Sequence, residues 1–63
     1  MTYIAQTYDF HVAISKVHQN LDIYSTERIT DNQYLINSNR GKFVCESFED
    51  DNACVYMKVY EVI

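Results

Sequence analysis

Lys42-Phe43-Val44-Cys45-Glu46-Ser47-Phe48-Glu49-Asp50-Asp51-Asn52-Ala53-Cys54-Val55-Tyr56-Met57-Lys58-Val59-Tyr60-Glu61-Val62 is the stretch that decides the fold. Two runs rich in β-branched and aromatic residues, Lys42 to Phe48 and Ala53 to Val62, flank a polar cluster of turn formers, which is the pattern of a β-hairpin. With Asp50 and Asp51 as the turn, Glu49 pairs with Asn52, Phe48 faces Ala53, Glu46 faces Val55 and Val44 faces Met57. That face is mainly aliphatic and suits a covering helix. The opposite face carries Phe43, Cys45 and Ser47 against Cys54, Tyr56, Lys58 and Tyr60. Side chains alternate strictly along a strand, so both sets cannot point inward. One helix covers one face of a sheet, and the other face is left displaying aromatics.

Upstream of the hairpin the period changes. Tyr3, Thr7, Phe10, Ile14, Val17 and Leu21 are spaced alternately four and three apart and fall in one stripe at helical steps, with Asp9, Lys16, Gln19 and Asn20 on the other side. Two readings fit. Thr2 caps one long helix; alternatively Thr7 or Asp9 caps a shorter one, and Thr2 to Thr7, with Tyr3 and Ile4, forms an edge strand. Asn20 is a fitting stop in both. Leu21 to Thr26, with Ile29 beyond, and Gln33 to Asn37 read as strands, and Ser38-Asn39-Arg40-Gly41 supplies turn chemistry. The expected fold is a single α+β domain, residues 1–63, with one N-terminal helix packed on a three- to four-stranded antiparallel sheet.

At 63 residues the chain buries only about 60% of its unfolded surface, so its six Tyr and three Phe matter to the core. The absence of Pro and the single Gly argue against disorder. Five basic against nine acidic residues give a net charge of −4, which argues against direct binding to a polyphosphate duplex. An acidic surface docking on the basic groove of a nucleic-acid-processing protein is the opposite relation, and it fits this charge. There is no apolar run near the roughly 20 residues that span a bilayer, and no signal-peptide core follows Met1. The expectation is a cytoplasmic protein, in a bacterial host if phage-encoded, with Cys45 and Cys54 reduced and no membrane partner.

Two constellations carry functional readings. Phe43, Tyr56 and Tyr60, with Lys58 among them, form the aromatic face. Tyr is enriched at interfaces because it adds contact area at low entropic cost and keeps a polar tip; the simpler alternative is cross-strand stabilisation of the sheet. Glu46, Glu49, Asp50 and Asp51 can present carboxylates to a basic partner, although a solvated hairpin tip is the simpler reading of four charges. Their spacing lacks the alternating ligands and central Gly of a calcium loop. His11 and His18 lie about 10 Å apart on a helix flank, too far to share a zinc ion, and the Cys spacing matches no finger. No metal or cofactor is expected. Nothing resembles a nucleophile turn or a phosphate loop, and the thin core leaves no room for an ordinary substrate pocket, which argues against an enzyme.

In composition the chain resembles the very short, acidic, Tyr- and Asn-containing accessory proteins of bacteriophages and mobile elements. That resemblance implies a protein that binds and inhibits one bacterial protein, such as a restriction, CRISPR or toxin component. The expected function is therefore a protein-binding inhibitor or neutraliser acting by steric occlusion, through Phe43, Tyr56, Lys58, Tyr60, Glu49, Asp50 and Asp51. The alternative is a structural or assembly homo-oligomer, a homodimer in the simplest case, that buries the same aromatic face against its symmetry mate.

Overall fold

In a computed structural model, which describes residues 1–63, the chain forms β1 (Thr2–Thr7), α1 (Phe10–Ser15), β2 (Ile23–Thr30), β3 (Gln33–Ser38), β4 (Gly41–Glu49) and β5 (Val55–Val62). The shorter-helix reading of the N-terminus is the one adopted. Thr7 Oγ1 accepts from the Asp9 amide (3.0 Å) and Asp9 Oδ1 accepts from the His11 amide (2.9 Å), so Asp9 caps a helix of only six residues. The helix ends where Ser15 Oγ turns back to donate to the Val12 carbonyl (2.8 Å). Asn20, at φ +55°, then takes the left-handed conformation that its short polar side chain tolerates. Of the proposed stripe, Phe10 and Ile14 are buried and Leu21 packs on the core, while Val17 is 51% exposed beyond the helix end.

Releasing Thr2–Thr7 from the helix adds a strand. The sheet therefore has five strands rather than three or four, in the order β1-β5-β4-β3-β2, with every neighbour antiparallel. Four successive antiparallel pairings leave β1 and β2 running in the same direction at opposite edges. The segment joining them must cross the sheet, and it carries α1 over one face only. The domain is thus mostly antiparallel sheet with one short helix. Phe10, Ala13 and Ile14 of α1 meet Ile36, Phe43, Cys45 and Val59 of the sheet, with Ile4, Ala5, Leu21 and Met57 packed around them. Only eight of 63 residues are buried, a core as thin as the chain length implies. The crossing segment is tied down at its far end. Asn39 accepts from the Asp22 amide and donates to the Asn20 carbonyl, Arg40 Nε donates to the Gln19 carbonyl, and His18 Nε2 meets Glu61 Oε2 at 2.9 Å.

The last hairpin departs from expectation in its register. Its turn is a five-residue loop, Asp50 to Cys54, and Glu49 pairs with Val55, Phe48 with Tyr56, Glu46 with Lys58 and Val44 with Tyr60. A two-residue hairpin turn needs positive φ at both central positions (type I′) or at the first (type II′), which Asn-Gly or a leading Gly supplies and Asp-Asp supplies poorly. Here Ala53 takes the positive φ (+60°) instead. The slip is three residues, an odd number, so β5 keeps its assigned faces while β4 is turned over. Phe43 and Cys45 point at α1; Val44, Glu46 and Phe48 point away. Ala53 in the left-handed region carries backbone strain that glycine lacks. Ala53→Gly is accordingly expected to raise stability by up to about 1 kcal/mol, measured by urea denaturation at unchanged m-value.

Candidate functional site

No element covers the sheet face opposite α1. Alternation along the paired strands brings Tyr3 and Gln6 of β1, Tyr56, Lys58 and Tyr60 of β5, Val44, Glu46 and Phe48 of β4, and Gln33 and Leu35 of β3 to this side. The aromatics form two groups. Near the loop that joins β4 and β5, Phe48 stacks on its cross-strand partner Tyr56 (centroids 5.6 Å, interplanar 26°), and Tyr8 meets Tyr56 edge-on at 6.2 Å. Further along the strands, Tyr3 and Tyr60, also directly paired, meet edge-on at 5.6 Å. Between the groups the Lys58 ammonium lies over the Phe48 ring, 5.1 Å from its centroid, and Gln33 donates to Glu46 at 3.1 Å. Such offset and edge-on contacts are the stable geometries for aromatic quadrupoles, and they hold the rings in fixed orientations. Tyr3 and Tyr8 remain 53% and 66% exposed.

The sequence placed Tyr56, Lys58 and Tyr60 on this face, and they are there. Phe43 is not. The odd slip in β4 puts it in the core with no exposed surface, edge-on to Phe10 at 5.9 Å, and hands its place to Phe48. Tyr3 and Tyr8 were missed because both fell within the region that the long-helix reading claimed. The edge-strand alternative held a signal for Tyr3 alone, and the structure pairs that strand with β5 so that Tyr3 lies beside Tyr60; Tyr8 falls outside Thr2 to Thr7 and no local pattern marked it.

The three hairpin carboxylates divide. Glu49, at the end of β4, and Asp51, at the loop tip, are exposed and make no side-chain hydrogen bond. Asp50 builds the loop. Its Oδ1 accepts from the amides of Asn52 and Cys54 (2.9 Å each), its own amide donates to the Cys54 carbonyl, and its Oδ2 accepts from the Tyr8 hydroxyl at 2.8 Å. Asp50 is therefore a loop-organising residue, not the free carboxylate expected at the tip. The Cys54 amide first, then the Tyr8 hydroxyl, holds the Asp50 carboxyl below the usual range; the same hydrogen bond, with the Asp50 charge, raises the Tyr8 phenol above its own.

These shifts fix a pH dependence. A depressed Asp50 stabilises the fold above the ordinary carboxyl range, and that contribution is lost as pH falls through its folded-state value. A raised Tyr8 stabilises the fold below the ordinary phenol range, and that contribution is lost as pH rises through its folded-state value. Tyr8→Phe is expected to remove the alkaline loss and to move the Asp50 titration, followed by carboxyl NMR, part of the way up. The Cys54 amide keeps it below the ordinary range.

On the helix side, His11, Ser15, His18, Gln19, Asn20 and Leu21 line an open groove of about 460 Å³. His18 is committed to Glu61 and rests against the Phe43 ring at 5.9 Å, and His11 is exposed. Nowhere do three His, Cys, Asp or Glu side chains converge as metal ligands. Cys45 is buried, and desolvation pushes its thiol up to about 11, whereas Cys54 is exposed in the loop. A thiol reagent is expected to label one cysteine in the folded protein, Cys54, and two after unfolding, counted by intact mass.

The chain matches no protein-family model, no curated protein and no solved structure. No helix is long and apolar enough to cross a membrane.

Proposed function

We propose that the chain is a protein-binding inhibitor or neutraliser that acts by occluding a site on one bacterial protein, without turnover. One observation carries this reading. The Phe48, Tyr56 and Tyr8 rings gather at an uncovered sheet face, and they adjoin the acidic end that Asp9, Asp31, Glu49 and Asp51 form with the Asp50 loop. An aromatic patch beside a rim that is acidic apart from the Arg28 paired to Asp31 is the anatomy of a protein contact surface, with anchors at the centre and steering charges at the edge. The sign of that rim favours a basic partner, the kind of surface that nucleic-acid-processing proteins present. The compositional likeness to phage and mobile-element accessory proteins points to the same class of target. The contact residues are revised accordingly: Tyr56, Tyr60, Lys58 and Asp51 are kept, Phe48, Tyr3 and Tyr8 are added, Phe43 and Asp50 are assigned to the fold, and Glu49, which alternation sets on the α1 side of β4, is kept only as a steering charge at the acidic end.

The test is capture of a partner from a bacterial lysate on the immobilised chain, followed by binding kinetics with folded variants. Tyr56→Ala is expected to weaken binding by about 1–3 kcal/mol, mainly through faster dissociation. Charge reversal at Glu49 and Asp51 is expected to slow association and flatten its salt dependence. Equal dissociation rates for wild type and a folded Tyr56→Ala protein would remove the aromatic face from the contact.

A further inference from the structure

The uncovered face has the size and charge layout of a surface that can pair with its own copy. The molecule measures 34 × 23 × 19 Å, and five strands of up to nine residues account for the two long dimensions. The broad face thus offers roughly 800 Å², the contribution each partner makes to a standard stable interface. Charge is distributed unevenly along the strands. At the end where β4 runs into its loop lie Asp9, Asp31, Glu49, Asp50 and Asp51, with Arg28, itself paired to Asp31, nearby. At the opposite end of β4, Lys42 stands on the uncovered side in register with Val62, exposed and without an ion-pair partner. Val44, next inward on the same side, is only 7% exposed between Leu35 and Tyr60, and beyond it Glu46, Gln33 and Lys58 form a polar band across the face before the Phe48 and Tyr56 rings.

We infer that two copies of the chain stack through these faces about a two-fold axis with their strands antiparallel, so that Lys42 of each copy lies against the Asp51 loop of the other. A parallel stack would set the two acidic ends together; the antiparallel stack separates them and gives each a lysine. Isologous closure makes every contact occur twice, and the sheets pack as the halves of a sandwich, with Tyr3, Tyr60 and Tyr56 between them. The inference rests on the same face as the proposed function and adds its regulation: the dimer masks the partner-binding surface, and a target must compete with the second copy.

Sedimentation velocity over a concentration series, with the purified chain and no other protein, tests this. Wild type is expected to pass from monomer to dimer as concentration rises, with no larger species. Lys42→Glu is expected to weaken the dimer roughly tenfold. Asp51→Lys separates the specific contact from net charge. It replaces a negative by a positive charge and takes the chain from −4 to −2, so general repulsion alone would make the dimer tighter. The antiparallel contact makes it weaker, because the introduced ammonium then faces Lys42 of the other copy, and the Lys42→Glu, Asp51→Lys double variant recovers the wild-type constant. Both positions are exposed and outside the loop hydrogen bonds, so folding is retained, and circular dichroism checks it. A monomer at every concentration, or a dimer that Asp51→Lys strengthens, overturns the inference. Neither result bears on capture of a target, whose loss in folded Tyr56→Ala is the separate test of the proposed function.

Discussion

Ile14→Asp is expected to leave the chain unfolded at room temperature. Ile14 is 1% exposed and sits at the centre of the face that α1 turns to the sheet, among Phe10, Ala13, Phe43 and Val59. Removing the isoleucine side chain alone costs about 2–5 kcal/mol, and a carboxylate in its place has no partner there, since no buried polar or charged residue exists in the core. A chain of this length rarely has more than about 3–5 kcal/mol to lose. Lys16→Asp is the control. Lys16 is exposed at the helix C-terminus, where a negative charge is disfavoured by the helix dipole, and the expected loss is below about 1 kcal/mol. Thermal unfolding followed by circular dichroism distinguishes the two. A cooperative transition in Ile14→Asp at the wild-type midpoint would mean that α1 buries some other face.

The second large effect belongs to the pair Phe43 and Phe48, which the two possible hairpin registers exchange. With Glu49 opposite Val55, Phe43 is wholly enclosed and touches Phe10 and His18, while Phe48 lies half-buried on the uncovered face beneath Lys58. Phe43→Ala is expected to cost about 3–5 kcal/mol, the range for emptying a large aromatic site in a core. Phe48→Ala loses one stacked ring and one cation–π contact and is expected to cost about 1 kcal/mol. The reverse order of the two losses in urea denaturation would restore the two-residue turn and return Phe43 to the surface. Phe48→Ala also has a second readout under the proposed function: a folded protein lacking that ring is expected to dissociate faster from a captured target.

The error in β4 shows what was legible and what was not. Each strand's alternation could be read directly, and so β5 presents Tyr56, Lys58 and Tyr60 to the side opposite Met57 and Val59, as its pattern requires. Alternation within β4 offered no such decision. Val44, Glu46 and Phe48 are about as apolar as Phe43, Cys45 and Ser47, so neither set was marked as the inner one. The choice came from the loop, where Asp50 accepts amides two and four residues onward and Tyr8 arrives from a distant part of the chain. That last contact is tertiary, and no local pattern announces it. The N-terminus behaved similarly. Tyr3 to Thr7 suited strand and helix alike, and the free edge of β5 decided in favour of strand by supplying partners for its backbone groups.

By itself, then, the sequence determined the helix-forming core of Phe10 to Ile14, the approximate positions of four strands, the acidic balance and the presence of more aromatic surface than one helix can cover; the helix stops at Ser15, short of the expected Asn20. Those properties follow from periodicity, capping chemistry and composition, all local or additive. Tertiary structure alone decided that β1 joins β5, that Phe43 is inside and Phe48 outside, and that Tyr3 and Tyr8 complete the aromatic face while Asp50 is withdrawn from the charged rim. Each of those outcomes is a pairing between residues far apart in the chain, where a slip of an odd number of residues reverses a whole face while leaving the local pattern unchanged.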